Sequence, residues 1–109
     1  MTSESIVVVL TNLPSREAAL TLARTLVEQR LAACVNVLPE CTSVYRWQGA
    51  IETAAETPLL IMAPAGRYAA LEQAIRQLHP YQLPEIVALP VDAGLPAYLA
   101  WVAAEGAPA

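Results

Sequence analysis

The sequence predicts an α+β fold: a ferredoxin-like βαββαβ sandwich with an extended hairpin between its second and third strands and a short C-terminal helix. Three observations predict it. Strand and helix patterns follow one another in that order, two helical segments carry apolar residues at three- and four-residue spacing, and a long pair of strands shares one tight turn. Since 109 residues is the size of one domain, we expect residues 1–109 to form a single core.

The first strand and the first helix are separated by a short polar segment. Residues 6–10 are a β-branched run typical of a central strand, and residues 11–14 are expected to end it. Ser15 should cap a helix of about 17 residues, because apolar side chains recur along one side of it. These side chains are Ala19, Leu22, Ala23, Leu26 and Val27.

A long hairpin follows the first helix. Residues 34–48 alternate as a strand does, with an irregularity expected at Pro39. Gln48 and Gly49 predict the turn. In the apolar return arm, Pro58 indicates either a bulge or an unpaired edge position.

The second half of the chain predicts a helix, a strand and a closing helix. The second helix should end at His79, because Pro80 disfavours helical geometry in the residue before it. Residues 85–91 are expected to form the last long strand, and residues 96–105 the closing helix. The second helix carries one apolar face with Tyr68, Leu71, Ile75 and Leu78.

The length of the hairpin predicts an oligomer. The first helix would measure about 25 Å, whereas residues 34–48 would extend about 50 Å, so half of the hairpin lies beyond any helix of its own chain. We expect the tips to reach the sheet edges of partner chains. The alternative is a bend at Pro39 that folds the tip back onto its own body. The side chains that need cover are Val44, Tyr45, Trp47 and Ile51.

Charge and composition exclude several partners. The formal net charge is -4, and the six basic residues are scattered arginines, which argues against nucleic acid and against anionic membranes. No apolar stretch is long enough for a membrane helix, and the chain start does not resemble a signal peptide, so we expect a cytoplasmic protein. Cys34 and Cys41 are expected to be reduced thiols, too far apart for a disulfide.

Four segments carry a family resemblance: Leu-Pro at 38–39, Thr-Ser-Val-Tyr-Arg-Trp-Gln-Gly at 42–49, His-Pro-Tyr-Gln-Leu-Pro-Glu at 79–85 and Tyr-Leu-Ala-Trp at 98–101. Together they resemble the CutA divalent-cation-tolerance family. The resemblance implies a cytoplasmic homotrimer of ferredoxin-like subunits, similar in architecture to the PII signal-transduction proteins. It also implies a role in tolerance or sensing of copper and other divalent metals.

The chain departs from this family at three positions. The resemblance implies a copper site made of a Cys after the first strand, a His just before the His-Pro-Tyr element, and the Glu that closes that element. Thr11 and Leu78 stand at the first two positions, and only Glu85 is kept. Met62 stands where many members carry a Lys, and this chain contains no Lys.

The remaining metal candidates are His79 and Glu85, which bracket a loop stiffened by Pro80 and Pro84. An imidazole and a carboxylate could converge there on Cu(II) or Zn(II), with further donors from thiols, water or another subunit. In the alternative, His79 interacts with the last carbonyls of its helix and Glu85 pairs with an arginine.

A second candidate site lies on the hairpin. Tyr45 and Trp47, with Glu52 or Glu56 nearby, could line a cleft between subunits, with Tyr81 as a further wall. Core packing of an interface is the alternative role for the aromatic rings.

No catalytic signature accompanies these candidates. Cys34 with His79 is the one Cys-His option, and no local signature accompanies it. The chain also has no P-loop and no dinucleotide fingerprint. The sequence therefore predicts a non-enzymatic trimer that acts in divalent-metal tolerance. The alternative is a metal-independent, PII-like sensor or scaffold that binds a small molecule in the clefts between subunits.

Overall fold

The computed structural model describes residues 5–109, which fold as an α+β domain on one antiparallel sheet. The strands are β1 (Ile6–Leu13), β2 (Cys34–Val37), β3 (Cys41–Trp47), β4 (Ala50–Pro64) and β5 (Ile86–Pro90). The helices are α1 (Arg16–Glu28), α2 (Tyr68–Leu78), which follows a short 3-10 turn, and α3 (Pro96–Glu105). The predicted order of elements is confirmed, with the expected second strand divided into β2 and β3.

The long strand β4 lies inside the sheet and organises it. It pairs with β1 on one side, and with β2 and then β3 on the other side. β5 pairs with the far side of β1. The resulting order β2-β4-β1-β5 leaves β2, β3 and β5 at the open edges of the sheet.

β1 is three residues longer than expected. The prediction ended it at residue 10, because the polar pair Thr11 and Asn12 before Pro14 is typical of a turn. In the structure Thr11 pairs with Leu59, and pairing continues to Leu13. The ladder with β4 therefore outweighs the local turn preference.

α1 begins as predicted and ends early. The Ser15 side chain accepts a hydrogen bond from the Ala18 N–H at 3.1 Å, which confirms the N-cap. The helix has 13 residues instead of about 17, because Arg30 adopts a left-handed conformation with φ 57°. The N–H groups of Arg30 and Leu31 bond the carbonyls of Val27 and Leu26, which is a Schellman ending.

The hairpin contains the expected irregularity and the expected turn. Three residues, 38–40, stand opposite two, Thr57 and Pro58, so the bulge lies in the arm between β2 and β3, opposite Pro58. Pro58 lies in the internal strand β4, and the alternative of an edge position is wrong. Gln48 and Gly49 have φ values of 50° and 85°, as a two-residue type I′ turn requires.

The core lies between the sheet and the pair α1 and α2. Val9 of β1 and Ile61 of β4 face both helices and are fully buried with Leu26, Leu71 and Ile75. α3 packs on the opposite face at one end only, where its Val102 contacts Ile6 and Ala33. Much of that second sheet face is therefore uncovered in the single chain.

The end of α2 differs in one respect from the prediction. Leu71 and Ile75 are buried, and His79 follows the helix as its C-cap. Leu78 was expected on the same buried face but is 50% exposed. It lies in the last turn, beside Ser15 and the first turns of α1, where the helix has passed the edge of the core.

The outer hairpin, defined as β3 with residues 50–56 of β4, projects from this body. The described residues extend 51 Å along their longest axis and 26 and 23 Å along the others. Val44 is 68% exposed and Ile51 is 62% exposed, and β3 pairs with β4. The projecting hairpin is confirmed, and the alternative in which a bend at Pro39 folds the tip back is wrong.

Candidate functional site

Four candidate residues lie where the base of the outer hairpin meets the loop between α2 and β5: Glu56, His79, Tyr81 and Glu85. Trp47 lies apart from them, beside the turn at the tip. This loop, residues 79–85, begins at the C-cap of α2 and passes the end of β1. Two prolines stiffen it, which limits the positions that its side chains can take. The site therefore combines three segments that are distant in the sequence.

His79 connects α2 to β1 and is 7% exposed. Its Nε2 lies 2.6 Å from the Asn12 carbonyl oxygen, and its Nδ1 accepts a hydrogen bond from the Tyr81 N–H at 3.3 Å. These partners define a neutral ring in which Nε2 carries the hydrogen. The alternative in which His79 binds the last carbonyls of its helix is wrong, because its partner is a strand carbonyl.

Glu85 reaches the same residue of β1. Its Oε1 accepts a hydrogen bond from the Asn12 side-chain amide at 3.1 Å. The alternative in which Glu85 pairs with an arginine is wrong for this oxygen. Asn12 thus joins His79 and Glu85, and the only sequence signal for this role is a polar residue after an apolar run.

The donors of one chain do not form a preformed cation site at this loop. Both His79 nitrogens are occupied by hydrogen bonds, and Glu85 already accepts one from Asn12. Within residues 5–109, no three His, Cys, Asp or Glu side chains come together as a metal would require. Cys34 and Cys41 are free thiols, and Cys34 lies beside Tyr98 of α3.

The residues predicted to line a cleft share one face of the outer hairpin. Tyr45 pairs with Glu52, and Trp47 pairs with Ala50, so their side chains lie on the same side. Glu56 pairs with Cys41 on that side as well. Tyr45, Trp47 and Glu52 are exposed, whereas Glu56 is 8% exposed at the base of the hairpin.

Tyr81 brings the loop and the hairpin together. Its burial, followed by its interaction with the Glu56 carboxylate and the proximity of Tyr45, raises the pKa of Tyr81 to about 12. The phenol therefore stays protonated at neutral pH. The ring centroids of Tyr81 and His79 are 4.8 Å apart.

The three positions that depart from the family pattern lie in different surroundings. Thr11 is buried, and its hydroxyl has no hydrogen-bond partner within residues 5–109. Leu78 is half exposed, and Met62 packs against the α3 cluster on the other sheet face. None of these side chains adds a donor to the His79 loop.

Acidification should weaken the fold through His79. Burial lowers the pKa of His79 below 6.5, against the raising effects of the Asn12 carbonyl and the Glu56 carboxylate. The unfolded chain then binds a proton more readily than the folded chain, so stability rises with pH in this range. We expect the contribution of His79 to the free energy of unfolding to be fully present above pH 6.5. It should be lost as the pH drops toward the lower pKa of the folded state.

Urea unfolding of the protein and of His79→Gln between pH 5 and pH 8 measures this effect. The difference between the two stability curves should change with pH around and below 6.5, because Gln does not titrate. Protonated Nδ1 would also face the Tyr81 N–H as a second donor, which removes that hydrogen bond. Two parallel curves would contradict the prediction.

Several relatives match most of this chain. The divalent-cation tolerance protein CutA of Thermus thermophilus is 48% identical over 95 residues, which cover 87% of this chain and 92% of that protein. Protein CutA of Mus musculus is 45% identical over 89 residues, 82% of this chain and 50% of the relative. The chain therefore spans about half the length of the mouse protein.

Solved structures show the same architecture. The divalent cation tolerance protein of Thermus thermophilus matches with a TM-score of 0.90 and 46% identity, covering 92% of this chain and 97% of that one. A PII-like protein CutA from Nostoc sp. matches with a TM-score of 0.87 and 38% identity, covering 94% and 99%. The α+β fold is thus shared with CutA and PII-like proteins.

The names of the relatives point to more than one compartment. One is a chloroplastic protein of Arabidopsis thaliana, and one solved structure is of a periplasmic protein from Archaeoglobus fulgidus. In the described part of this chain, no helix has the length and apolar character that crossing a membrane requires. The cytoplasmic location stays a prediction.

A family model described as the CutA1 divalent ion tolerance protein matches residues 7–105. The match begins in β1 and ends with α3, so it covers the outer hairpin and the His79 loop. Family model, relatives and solved structures agree. The chain belongs to the CutA1 divalent ion tolerance protein family.

Proposed function

We propose that this chain is a non-enzymatic protein that acts as a homotrimer in the tolerance of, or response to, divalent cations such as copper. Its subunit would have the ferredoxin-like, PII-like arrangement that the strand order suggests. The observation that carries the proposal is the projecting outer hairpin, whose apolar side chains have no cover in the single chain.

The outer hairpin is unfavourable as an isolated ribbon. Two-stranded ribbons are marginal in water, and this one exposes Val44, Trp47 and Ile51. Val44 and Ile51 lie on one face of the ribbon and Trp47 on the other, so both faces carry exposed apolar side chains of the kind that mark an interface in soluble proteins. A neighbouring subunit that covers the ribbon would stabilise it and bury its exposed apolar side chains.

A second uncovered surface supports the same assembly. Val8 and Leu10 point away from α1 and α2, and their partners Leu89 and Val87 are exposed on that face of β5. β5 and β2 also present unpaired main-chain groups at opposite edges of the sheet. Hairpins that cross to these edges would close a ring of subunits.

Light scattering on the purified protein tests the trimer. We expect a mass of about 35 kDa, three times the 11.6 kDa of one chain, that persists on dilution to low micromolar concentration. A mass of one chain at these concentrations would refute the assembly. The proposal would then retain only the family relationship.

The absence of an enzymatic role is supported by the surroundings of the reactive side chains. Cys34 lies beside Tyr98, whereas the His79 ring is bonded to Asn12 and Tyr81. The thiol and the imidazole therefore occupy different neighbourhoods. A nucleophile needs its base within hydrogen-bond reach.

The cation itself does not fit His79 and Glu85 as they stand. Each is held by hydrogen bonds within the chain, and two donors alone make a weak site for copper or zinc. We therefore assign no cation site within a single chain. The role in cation tolerance rests on the family relationship and on the assembly.

A second candidate function is binding of a small molecule in the clefts between subunits, independent of metals. The grouping of Tyr45, Glu56 and Tyr81 favours it, because aromatic faces and a carboxylate meet there. A ligand of the native state raises the melting temperature. Comparing the shifts caused by copper, zinc and small molecules distinguishes the two functions.

A further inference from the structure

One residue of β1, Asn12, holds both ends of the loop between α2 and β5. At the first residue of the loop, His79 Nε2 donates to the Asn12 main-chain carbonyl, with 2.6 Å between the nitrogen and the oxygen. At the last residue, Glu85 Oε1 accepts a hydrogen bond from the Asn12 side-chain amide at 3.1 Å. The loop is therefore closed at both ends on a single residue that is distant in the sequence.

The middle of the loop has little packing of its own. Pro80, Gln82 and Leu83 are exposed, so the loop buries few side chains between its ends. Tyr81 turns back onto the first residue of the loop. Its N–H donates to His79 Nδ1 at 3.3 Å, and the two ring centroids are 4.8 Å apart. Because the prolines restrict the backbone, fixing the two ends fixes the position of the whole loop.

We propose that Asn12 is a positioning residue whose two hydrogen bonds close this loop without a metal, so that His79 and Glu85 serve the closure and do not bind a divalent cation. This arrangement, the Asn12 clasp, assigns the two remaining donor residues to the fold of this chain. The clasp does not depend on the trimer, because each of its hydrogen bonds lies within one chain.

A cation at these donors would have to break the clasp. Neutral imidazole offers one lone pair, and the lone pair of His79 Nδ1 already accepts the Tyr81 N–H. Binding through Nε2 would require the other tautomer and would take the donor from the Asn12 carbonyl. Within residues 5–109, no third His, Cys, Asp or Glu side chain joins His79 and Glu85 to complete a site. Closing the loop and binding a cation are therefore alternatives.

Hydrogen exchange of the Tyr81 amide, followed by NMR in EDTA-treated protein, tests the clasp. Asn12→Ala removes the hydrogen bond to Glu85, so we expect exchange to become about threefold to tenfold faster. Glu85→Ala should have the same effect, whereas Glu85→Gln keeps an acceptor and should exchange at close to the unmodified rate. The double variant Asn12→Ala with Glu85→Ala should be no faster than either single variant, because both remove the same bond.

Gln73→Ala is the matched control, because it removes an exposed amide from α2, away from the loop. It should leave Tyr81 exchange unchanged. Zinc chloride tests the absence of a metal separately. The chain has one histidine, so the ring nitrogen signals of His79 are unambiguous. With stoichiometric zinc, we expect these signals and the exchange rate of the Tyr81 amide to stay as they are in EDTA.

Unchanged Tyr81 exchange in both Asn12→Ala and Glu85→Ala would overturn the clasp, as would exchange in Glu85→Gln as fast as in Glu85→Ala. Saturable zinc-dependent shifts of the His79 ring nitrogens that disappear in Glu85→Ala would also overturn it, and would assign both residues to a cation. If Asn12→Ala does not fold, Glu85→Ala decides, because Glu85 is exposed. The mass of the unmodified protein tests the trimer separately, and a monomer would leave the clasp in place.

Discussion

The double substitution Val44→Asp and Ile51→Asp should convert the proposed trimer into folded monomers of 11.6 kDa. Both side chains are more than 60% exposed in the single chain, so two carboxylates there cost the isolated fold little. In an assembly that covers the hairpin, the same carboxylates would be buried without a partner, at several kcal/mol each. The expected result is a threefold loss of mass in light scattering, with an unchanged circular dichroism spectrum.

A matched variant separates interface loss from the effect of added charge. Gln73→Asp and Gln77→Asp place two carboxylates at exposed positions of α2, away from the outer hairpin. This variant should keep the mass of the unmodified protein. The interpretation would fail if both variants dissociated, or if the hairpin variant stayed trimeric.

Local signals predicted much of the fold. Ser15 before an amphipathic run predicted the start of α1, and Pro96 with the following apolar residues predicted α3. The two-residue turn at Gln48 and Gly49 also fixes the register of the outer hairpin. Helix caps and tight turns are set by residues a few positions apart, so the sequence alone predicts them.

The ends of β1 and α1 depend instead on interactions that local signals do not predict. β1 continues to Leu13 because β4 pairs with it, although Thr11 and Asn12 locally favour a turn. The helix α1 ends early because Arg30 takes a conformation that sequence patterns assign to glycine. In both cases, contacts with distant parts of the chain outweigh local preferences.

In the candidate site too, the sequence predicts the local arrangement and does not predict contacts between distant residues. Tyr45 and Glu52 could be placed on one face from the turn alone, and the structure does so. The partners of His79 and Glu85 could not be predicted, because both bind Asn12, which lies 67 and 73 residues away. Hydrogen-bond partners at that separation depend on how the sheet is assembled.

The Arg30 side chain secures the C-terminal helix. Its Nε donates to the Ala107 carbonyl at 2.9 Å, and its Nη2 donates to the Ala104 carbonyl at 3.2 Å. The Arg67 side chain in turn donates to the Arg30 carbonyl at 3.0 Å. A positive group at the end of α3 also complements the helix dipole.

Arg30→Ala should therefore destabilise the protein by about 2 kcal/mol, because it removes both charged hydrogen bonds and keeps the left-handed conformation. Arg30→Gly loses the same bonds but adopts φ 57° without strain, so about 1 kcal/mol should be recovered. Glycine should thus be the better replacement, the reverse of its usual rank against alanine. Arg24→Ala, at an exposed position of α1, should change stability by less than about 0.5 kcal/mol.

Urea unfolding at pH 7.5 and fixed protein concentration measures the three variants, since the stability of an oligomer depends on concentration. Hydrogen exchange in α3 provides a local readout, and both Arg30 variants should lose protection there. The end of α3 is also closely packed, because a Cβ added at Gly106 would collide with the Pro64 side chain. An Arg30→Ala variant as stable as Arg30→Gly, with α3 still protected, would show that the guanidinium does not secure the helix.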